Sequence, residues 1–176
     1  MSRLTPPVSP RDHAQGSPRP PVTLVEYGDF ECPHCGAAHP LVKQLQQAIG
    51  SKLRFVYRHF PLTRIHPHAQ HAAEMAEAAA SHGKFWPMHD LLFAHQDALH
   101  DEHLVAYAAS LGIDARWAAA ALSDGRFQRR VREDFASGVR SGVNGTPTFF
   151  INGERYDRPW ETLLDTLTEA TINAPR

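Results

Sequence analysis

The stretch Leu24-Val-Glu-Tyr-Gly-Asp-Phe-Glu-Cys-Pro-His-Cys35 decides the fold that we predict for this chain. A short apolar run from Val22 to Tyr27 ends at Gly28, and a helical pattern of apolar residues begins directly at the two cysteines. Two cysteines separated by two residues, between a strand and a helix, are typical of a thiol–disulfide redox site. No other cysteine is present in the chain, so these two can pair only with each other, a partner or a metal.

The position of Cys32 at the start of a helix predicts a reactive thiolate. Unsatisfied N–H groups and the partial positive charge of a helix N-terminus both stabilise an anion there. Pro33 suits the first helical position, because it lacks an N–H and its φ is already helical. His34 adds a ring that can become cationic, and thiols in such settings have pKa values of roughly 3.5–7.5. We therefore expect Cys32 to be the exposed nucleophile and Cys35, one turn into the helix, to be the buried resolving thiol.

Length and composition indicate an ordinary globular protein. The 176 residues can bury a proper core, and 42% of them are hydrophobic while 21% are charged. The net charge of -1 gives no reason to expect nucleic acid or an anionic membrane as a partner. No apolar stretch approaches the ~18 residues that a transmembrane helix requires.

Residues 1–20 are rich in proline and contain no apolar signal segment, so they predict a flexible arm and a cytoplasmic protein. A mis-assigned or trimmed N-terminus would instead allow an extracytoplasmic one. The apolar pattern divides the rest of the chain into a split α/β domain, over 21–62 and 142–176, and an inserted helical subdomain over 63–141. Within the split domain we predict strands over 22–27, 53–60 and 148–151, a helix over 33–49, a hairpin turn at 152–153 and a terminal helix around 160–167.

This element order, with Cys-Pro-His-Cys at 32–35 and Gly-Thr-Pro-Thr-Phe-Phe-Ile-Asn-Gly at 145–153, resembles the DsbA-like branch of the thioredoxin superfamily. The likeness covers roughly residues 20–172 and implies a thioredoxin fold interrupted by an all-helical subdomain. It implies a monomeric oxidoreductase that exchanges disulfides with protein substrates, without a cofactor. A partner reductase or oxidase, which the sequence does not identify, would recycle it.

The resemblance also implies roles for three residues outside the cysteine motif. Pro147 corresponds to a proline that follows a cis peptide bond and faces the redox pair, and the backbone of Thr146 would bind an extended substrate. Glu26 lies six residues before Cys32, where relatives often carry a buried acid. We interpret it as a proton acceptor for Cys35, and the alternative is a glutamate at the strand end that reaches water.

Two other kinds of function stay open at this stage. Cys32, Cys35, His66 and His71 offer the donors of a zinc site, although their spacing misses the compact zinc-finger pattern. A zinc-holding or chaperone-like binding module without redox turnover is therefore the alternative function. A glutathione-conjugating relative of the same fold is a second one, but such relatives lack paired cysteines, so Cys35 argues against it.

The remaining histidines and the basic residues give weaker signals. Four histidines of the insert match no ligand pattern and are expected at the surface: His89, His95, His100 and His103. Arg129 and Arg130 belong to the one basic cluster, and each stands four residues before an acidic residue, Glu133 and Asp134. This spacing favours solvated ion pairs on a helix over a docking patch.

Overall fold

The computed structural model describes residues 2–172, and from Val22 onwards its element order is the one predicted. The strands are β1 (His13–Gly16), β2 (Val22–Gly28), β3 (Leu53–His59), β4 (Thr148–Ile151) and β5 (Glu154–Arg155). The helices are α1 (Pro33–Ile49), α2 (Ala69–Ala80), α3 (Phe85–Ala94), α4 (Asp101–Ser110), α5 (Ala115–Ser123), α6 (Gln128–Arg140) and α7 (Leu163–Ile172). Within this described range, no helix combines the length and the apolar character needed to cross a lipid bilayer.

The five strands form one mixed sheet in the order β1-β3-β2-β4-β5. β2 lies at its centre, parallel to β3 and antiparallel to β4, which confirms the predicted strand–helix–strand unit. The residues of β2 are buried on both faces of the sheet, so the strand is a nearly continuous apolar run. Its one carboxylate belongs to Glu26, which pairs in register with Tyr57 of β3. The central strand therefore carries an acid into the core and then leads the chain to the cysteines.

Two apolar cores lie on opposite faces of the sheet. Leu24 and Phe55 belong to the larger core, together with apolar residues of α1, α3 and α7. Val25 and Val56, one position further along each strand, belong to the smaller core. This alternation follows from the period of two in a strand. Both cysteines are part of the larger core, so the redox pair lies against packed helices.

Five helices, α2 to α6, lie between β3 and β4, where an inserted helical subdomain is predicted. Ala72, Ala76 and Ala79 of α2 are buried, and their small side chains allow neighbouring helices to approach closely. Helix α6 reaches the sheet at Gly138, where a Cβ atom would lie 2.6 Å from the ring of Phe60. The helices therefore pack directly onto the core of the sheet.

The structure differs from the sequence-based expectation over residues 2–20, where we predict a flexible arm. Leu4 is buried in the smaller core, and β1 pairs antiparallel with β3. The carboxylate of Asp12 also binds the buried guanidinium of Arg58, with N–O distances of 2.8 and 3.0 Å. The local pattern could not reveal this order, because the partners of the segment come from distant parts of the chain.

His89 is also placed differently from the expectation. It is 1% exposed and packs edge-on against Tyr57, with ring centroids 4.7 Å apart. Burial lowers the pKa of His89 to about 4, although its hydrogen bond to Asp90 opposes this shift. A histidine that stays neutral can occupy a core position in the way an aromatic residue does. The residue type alone was therefore not enough to predict whether His89 is exposed.

Candidate active site

A buried carboxylate organises the loop that joins β2 to α1. Asp29 is 2% exposed, and it accepts the backbone N–H groups of Glu31 and Leu62, both at 2.8 Å. The same carboxylate lies 2.7 Å from Nδ1 of His66, and the Asp29 carbonyl accepts the N–H of Cys32 at 3.1 Å. These contacts hold the segment before the first cysteine against the loop that follows β3. The only sequence signal at Asp29 is a short acidic side chain after a strand, which is common in loops and was not predicted to have this role.

The start of α1 is held by its own backbone and by one side chain of the insert. Cys32 directly precedes the helix, with Pro33 in the first turn as predicted. Gln96, between α3 and α4, donates its Nε2 group to the carbonyls of Phe30 and Cys32, both at 2.8 Å. Gly36 leaves room for this amide, because a Cβ atom there would overlap it. No sequence motif marks Gln96, since its partners are backbone atoms far from it in the chain.

Cys32 is 3% exposed, so the expectation of an exposed nucleophile is corrected. Its sulfur lies 3.5 Å from the carbonyl oxygen of Thr146, in the loop that leads into β4. Pro33 and His34, which follow it, are exposed, so the thiol lies just below the surface. A position at a helix start indicates reactivity, but it does not indicate which distant loop folds over the sulfur.

The surroundings of Cys32 lower its pKa to about 5. The largest cause is the hydrogen bond from the Cys35 thiol, which outweighs the opposing effect of burial. The Thr146 side chain and the backbone N–H groups of Cys35 and His34 lower the pKa further. The hydroxyl of Thr146 has no other partner in the described chain, so it is free to donate to the thiolate.

This result corrects the reason given for His34. The sequence suggested that its imidazole helps as a nearby cation, but only its backbone N–H is among the causes that lower the pKa of Cys32. The side chain points into an exposed position at the helix start. His34 therefore contributes to the site through the helix terminus that any residue at this position would provide.

Cys35 has the opposite character. It is fully buried, and burial raises the pKa of its thiol well above the ordinary value. The hydrogen bond to Cys32 and the negative charges of Glu26 and Cys32 raise it further. Both cysteines are free thiols in this structure. The pair therefore combines a thiol whose pKa is lowered, near the surface, with a buried thiol whose pKa is raised and which donates to it from below.

Glu26 lies inside the core and does not reach water. It is 2% exposed, and its Oε1 atom has no hydrogen-bond partner in the described chain. Burial, and after it the negative charge of Cys32, raise the pKa of Glu26 to about 8. An acid that titrates near neutral pH can both take up and release a proton under working conditions, which suits a role in proton transfer.

Tyr57 is a buried polar group that the sequence analysis did not identify. Its hydroxyl has no hydrogen-bond partner in the described chain, and it lies beside Glu26 on β3. Burial and the negative charges of Glu26 and Cys35 raise the pKa of Tyr57 well above its ordinary value. The hydroxyl therefore stays protonated beside the acid. Its position opposite an acidic residue in a parallel register is visible only once the strands are paired.

Thr146 and Pro147 lie beside Cys32, in the loop before β4, where the resemblance placed them. Both residues are half-buried, and the peptide bond between them is cis. Thr148 stabilises the loop, because its hydroxyl donates to the carbonyl of Gly145 at 2.7 Å. The strand that follows pairs with β2, which brings this loop to the same edge of the sheet as the cysteines.

The donors of the suggested zinc site are engaged elsewhere. His66 binds the loop carboxylate described above, and Nδ1 of His71 lies 2.6 Å from Asp101. In the described part of the chain, neither group of side chains with a metal-compatible arrangement contains Cys32 or Cys35.

The basic cluster forms the ion pairs that its spacing predicts. Arg129 lies 3.1 Å from Glu133, and Arg130 binds Asp134, both within α6. The first pair is exposed, while the second is half-buried against β3. The predicted pairing within one helix is confirmed, but only the Arg129–Glu133 pair is solvated, because Asp134 is buried where it accepts the backbone N–H of His59.

Comparison with known proteins supports the assignment of the fold. A family model described as Thioredoxin matches residues 8–169. Solved structures of similar fold include oxidised BdbD from Bacillus subtilis, at a TM-score of 0.80 and 21% identity over 93% of this chain and 94% of that one. A thioredoxin-like oxidoreductase from Silicibacter pomeroyi superimposes at 0.76 with 25% identity, over 94% and 95% of the two chains. Alpha-DsbA1 from Wolbachia pipientis superimposes at 0.75 with 18% identity, over 94% of each chain. These likenesses confirm the predicted DsbA-like fold, and the oxidoreductases among them agree with the predicted enzyme class.

Proteins of similar sequence are named as Na(+)/H(+) antiporters. The Na(+)/H(+) antiporter NhaA 3 of Salinispora tropica is 48% identical over 169 residues, which are 96% of this chain and 26% of that protein. The Na(+)/H(+) antiporter NhaA of Herminiimonas arsenicoxydans is 46% identical over 153 residues, which are 86% of this chain and 24% of that protein. The chain thus spans about a quarter of the length of these relatives.

Proposed function

We propose that this chain, which belongs to the thioredoxin family, exchanges disulfides with protein substrates through Cys32 and Cys35. The observation that carries the proposal is the opposite displacement of the two thiols. The pKa of Cys32 is lowered to about 5, while that of Cys35 is raised well above its ordinary value. A structural cysteine pair has no need of this difference, whereas an exchange reaction needs one sulfur to attack and another to wait in protonated form.

In the oxidising direction, a substrate thiolate attacks Cys32 in the Cys32–Cys35 disulfide. The bond between the two cysteines breaks, a mixed disulfide forms at Cys32, and Cys35 leaves with the electron pair and takes up a proton. The second thiolate of the substrate then attacks the substrate sulfur that is bonded to Cys32. The substrate disulfide forms, and Cys32 is released as a stable thiolate. Two electrons have passed from the substrate dithiol to the protein, and a partner oxidase must remove them. Running the steps backwards reduces a substrate disulfide.

Glu26 serves as the proton partner of Cys35 in both directions. Burial keeps its carboxyl group protonated near neutral pH, so it can supply a proton when Cys35 leaves. In a mixed disulfide Cys32 carries no charge, and the contribution of that charge to the raised pKa of Glu26 is then lost. The carboxyl group then releases its proton more readily, and as a carboxylate it can accept the proton of Cys35 as that thiol attacks.

The backbone around Thr146 forms the substrate contact in this proposal. Its carbonyl lies 3.5 Å from the nucleophilic sulfur, so an extended substrate bound along this loop would present its own sulfur to Cys32. Backbone pairing of this kind is tolerant of sequence, which suits an enzyme that accepts several proteins. Ion transport, the activity for which the antiporters are named, is not part of the proposal, because the chain covers only about a quarter of their length.

The test is to trap the mixed disulfide. A Cys35→Ser variant incubated with a model peptide that carries a disulfide should accumulate a mixed disulfide between the peptide and Cys32, while the matched Cys32→Ser variant should accumulate none. The alkylation rate of Cys32 against pH should rise with a midpoint at about 5. A midpoint near the ordinary thiol value of about 8.5 would exclude an activated thiolate. Equal trapping by both variants, or by neither, would favour a binding module without redox turnover.

A further inference from the structure

Three side chains from separate elements meet away from the cysteine pair. His13 lies on β1, His59 ends β3, and Glu77 belongs to α2. Nε2 of each histidine lies 2.7 Å from the same oxygen, Oε1 of Glu77. Their side chains are 17%, 1% and 6% exposed, respectively, so the cluster is buried with one edge towards the surface at His13. The exchange reaction described above uses none of them.

We propose that His13, His59 and Glu77 form a zinc site that joins the N-terminal strand to β3 and to the helical insert. Two imidazole nitrogens and one carboxylate oxygen are a donor set that Zn²⁺ prefers, with the fourth position left to water. The three donor atoms lie within 4.8 Å of one another. Zn–N and Zn–O bonds of about 2.0–2.2 Å place tetrahedral ligand atoms roughly 3.3–3.5 Å apart. The two hydrogen bonds therefore need to lengthen by less than about 1 Å, which a small rotation of the carboxylate provides.

The rings that carry the nitrogens are already held in place. His13 stacks on Phe85 with the ring centroids 3.6 Å apart, and His59 packs edge-on against the same ring at 5.9 Å. The backbone N–H of His59 donates to the buried carboxylate of Asp134 at 3.0 Å. Because these contacts fix the two rings before any ion binds, little side-chain entropy is lost on binding.

Both histidines must move a proton in the same way before they can bind the ion. Without the ion, each Nε2 atom carries the hydrogen that it donates to Glu77. On binding, a neutral ring moves this hydrogen to Nδ1 and the Nε2 lone pair binds zinc, whereas a ring protonated on both nitrogens releases the Nε2 hydrogen to solvent. Nδ1 of His59 has no partner in the described chain. That nitrogen therefore lacks a hydrogen-bond partner with or without the ion, so moving the hydrogen onto it breaks no existing hydrogen bond.

The charges around the cluster leave room for a divalent cation. Glu77 pairs only with the two histidines among the described residues, and the neighbouring cations Arg58 and Arg130 are neutralised by Asp12 and Asp134. The other metal-compatible group of the described chain lacks this property.

That second group consists of His39, His89 and Asp90. There Nζ of Lys43 lies 3.0 Å from the Asp90 carboxylate. An ammonium group already occupies the carboxylate, so a second cation would be repelled. The local charge therefore separates the two groups and favours a cation only at the one around Glu77.

The experiment titrates oxidised protein, in which the cysteine sulfurs cannot act as zinc ligands, with Zn²⁺ in a calorimeter and with Co²⁺ in an absorption spectrometer. We expect one Zn²⁺ per chain, Co²⁺ absorption bands of tetrahedral intensity, and no charge-transfer band from sulfur. The variants His13→Ala and Glu77→Gln should lose this binding. The matched control is His71→Ala, which removes an exposed imidazole bonded to a single carboxylate and should bind as the wild type does.

The wild type alone can overturn the proposal, whether or not the variants fold. Absence of zinc binding to the oxidised wild type, or octahedral Co²⁺ spectra, would contradict it. Binding that persists unchanged in folded His13→Ala and Glu77→Gln proteins would place the ion elsewhere and contradict it as well. The midpoint of thermal unfolding should rise with Zn²⁺ in the wild type and in His71→Ala, but not in His13→Ala.

Discussion

Replacing Glu26 by glutamine tests whether the buried acid is as costly as its surroundings imply. In the folded protein, burial and the charge of Cys32 raise the pKa of Glu26 to about 8, from an ordinary value of 4.5. Folding at neutral pH therefore requires this carboxyl group to take up a proton that the unfolded chain has released. Glutamine has nearly the same shape and cannot ionise, so the variant avoids this cost.

The magnitude follows from linkage. A raised folded pKa costs nothing below about pH 4.5, where the carboxyl group is protonated in both states, and the cost grows as pH rises towards 8. Each pH unit across this window contributes about 1.4 kcal/mol, so the cost at pH 7 is about 3 kcal/mol. We expect Glu26→Gln to be more stable than the wild type by about this amount at pH 7, and to differ little from it at pH 4.5.

The assay is urea unfolding of both proteins at several pH values between 4.5 and 8.5, with a dithiol present so that the cysteines stay reduced. Because Cys32 titrates in both proteins, its contribution largely cancels in the difference. Glu169→Gln, which changes an exposed glutamate of α7, is the matched control and should show no such trend. A stability difference that stays constant with pH, or a glutamine variant less stable at pH 7, would show that Glu26 is ionised or solvated in the folded protein.

Three further predictions concern the thiolate and the packing of α6. With the pKa of Cys32 lowered to about 5, the thiolate should stabilise the reduced protein by about 3 kcal/mol at pH 7, and this contribution should be lost as pH falls through 5. Denaturant titrations with and without dithiol measure the stability difference between the two redox forms. An oxidised form that is clearly the more stable at pH 7 would contradict the prediction. His34→Ala should leave the alkylation midpoint of Cys32 within about one pH unit, because the backbone N–H remains; a larger rise would restore a role for the imidazole. Gly138→Ala should destabilise the protein by about 1–3 kcal/mol in urea unfolding, because its methyl group meets the ring of Phe60 at 2.6 Å; unchanged stability would mean that α6 moves away freely.

Local sequence was sufficient wherever neighbours in the chain determine the conformation. Helix α1 begins at Pro33 and ends at Ile49, as its apolar spacing and the glycine after it predict. Strand β4 covers Thr148–Ile151, as predicted from the turn at 152–153. The lowered pKa of Cys32 and the burial of Cys35 were also predicted from their places at the start of a helix. These features depend on interactions within a few residues, so the order of amino acids carries them directly.

Tertiary structure alone decided what surrounds those residues. Three contacts bring together segments that are far apart in the chain. Thr146 lies over Cys32, Tyr57 lies beside the buried Glu26, and His13 lies close to His59. Within residues 2–20, where an arm was predicted, Leu4 joins the smaller core and β1 forms for the same reason. Burial and the distances between charges set pKa values and metal-ligand geometry, and both arise only when distant segments pack together. The sequence therefore determined which atoms could react, and the packing determined the protonation states in which they meet.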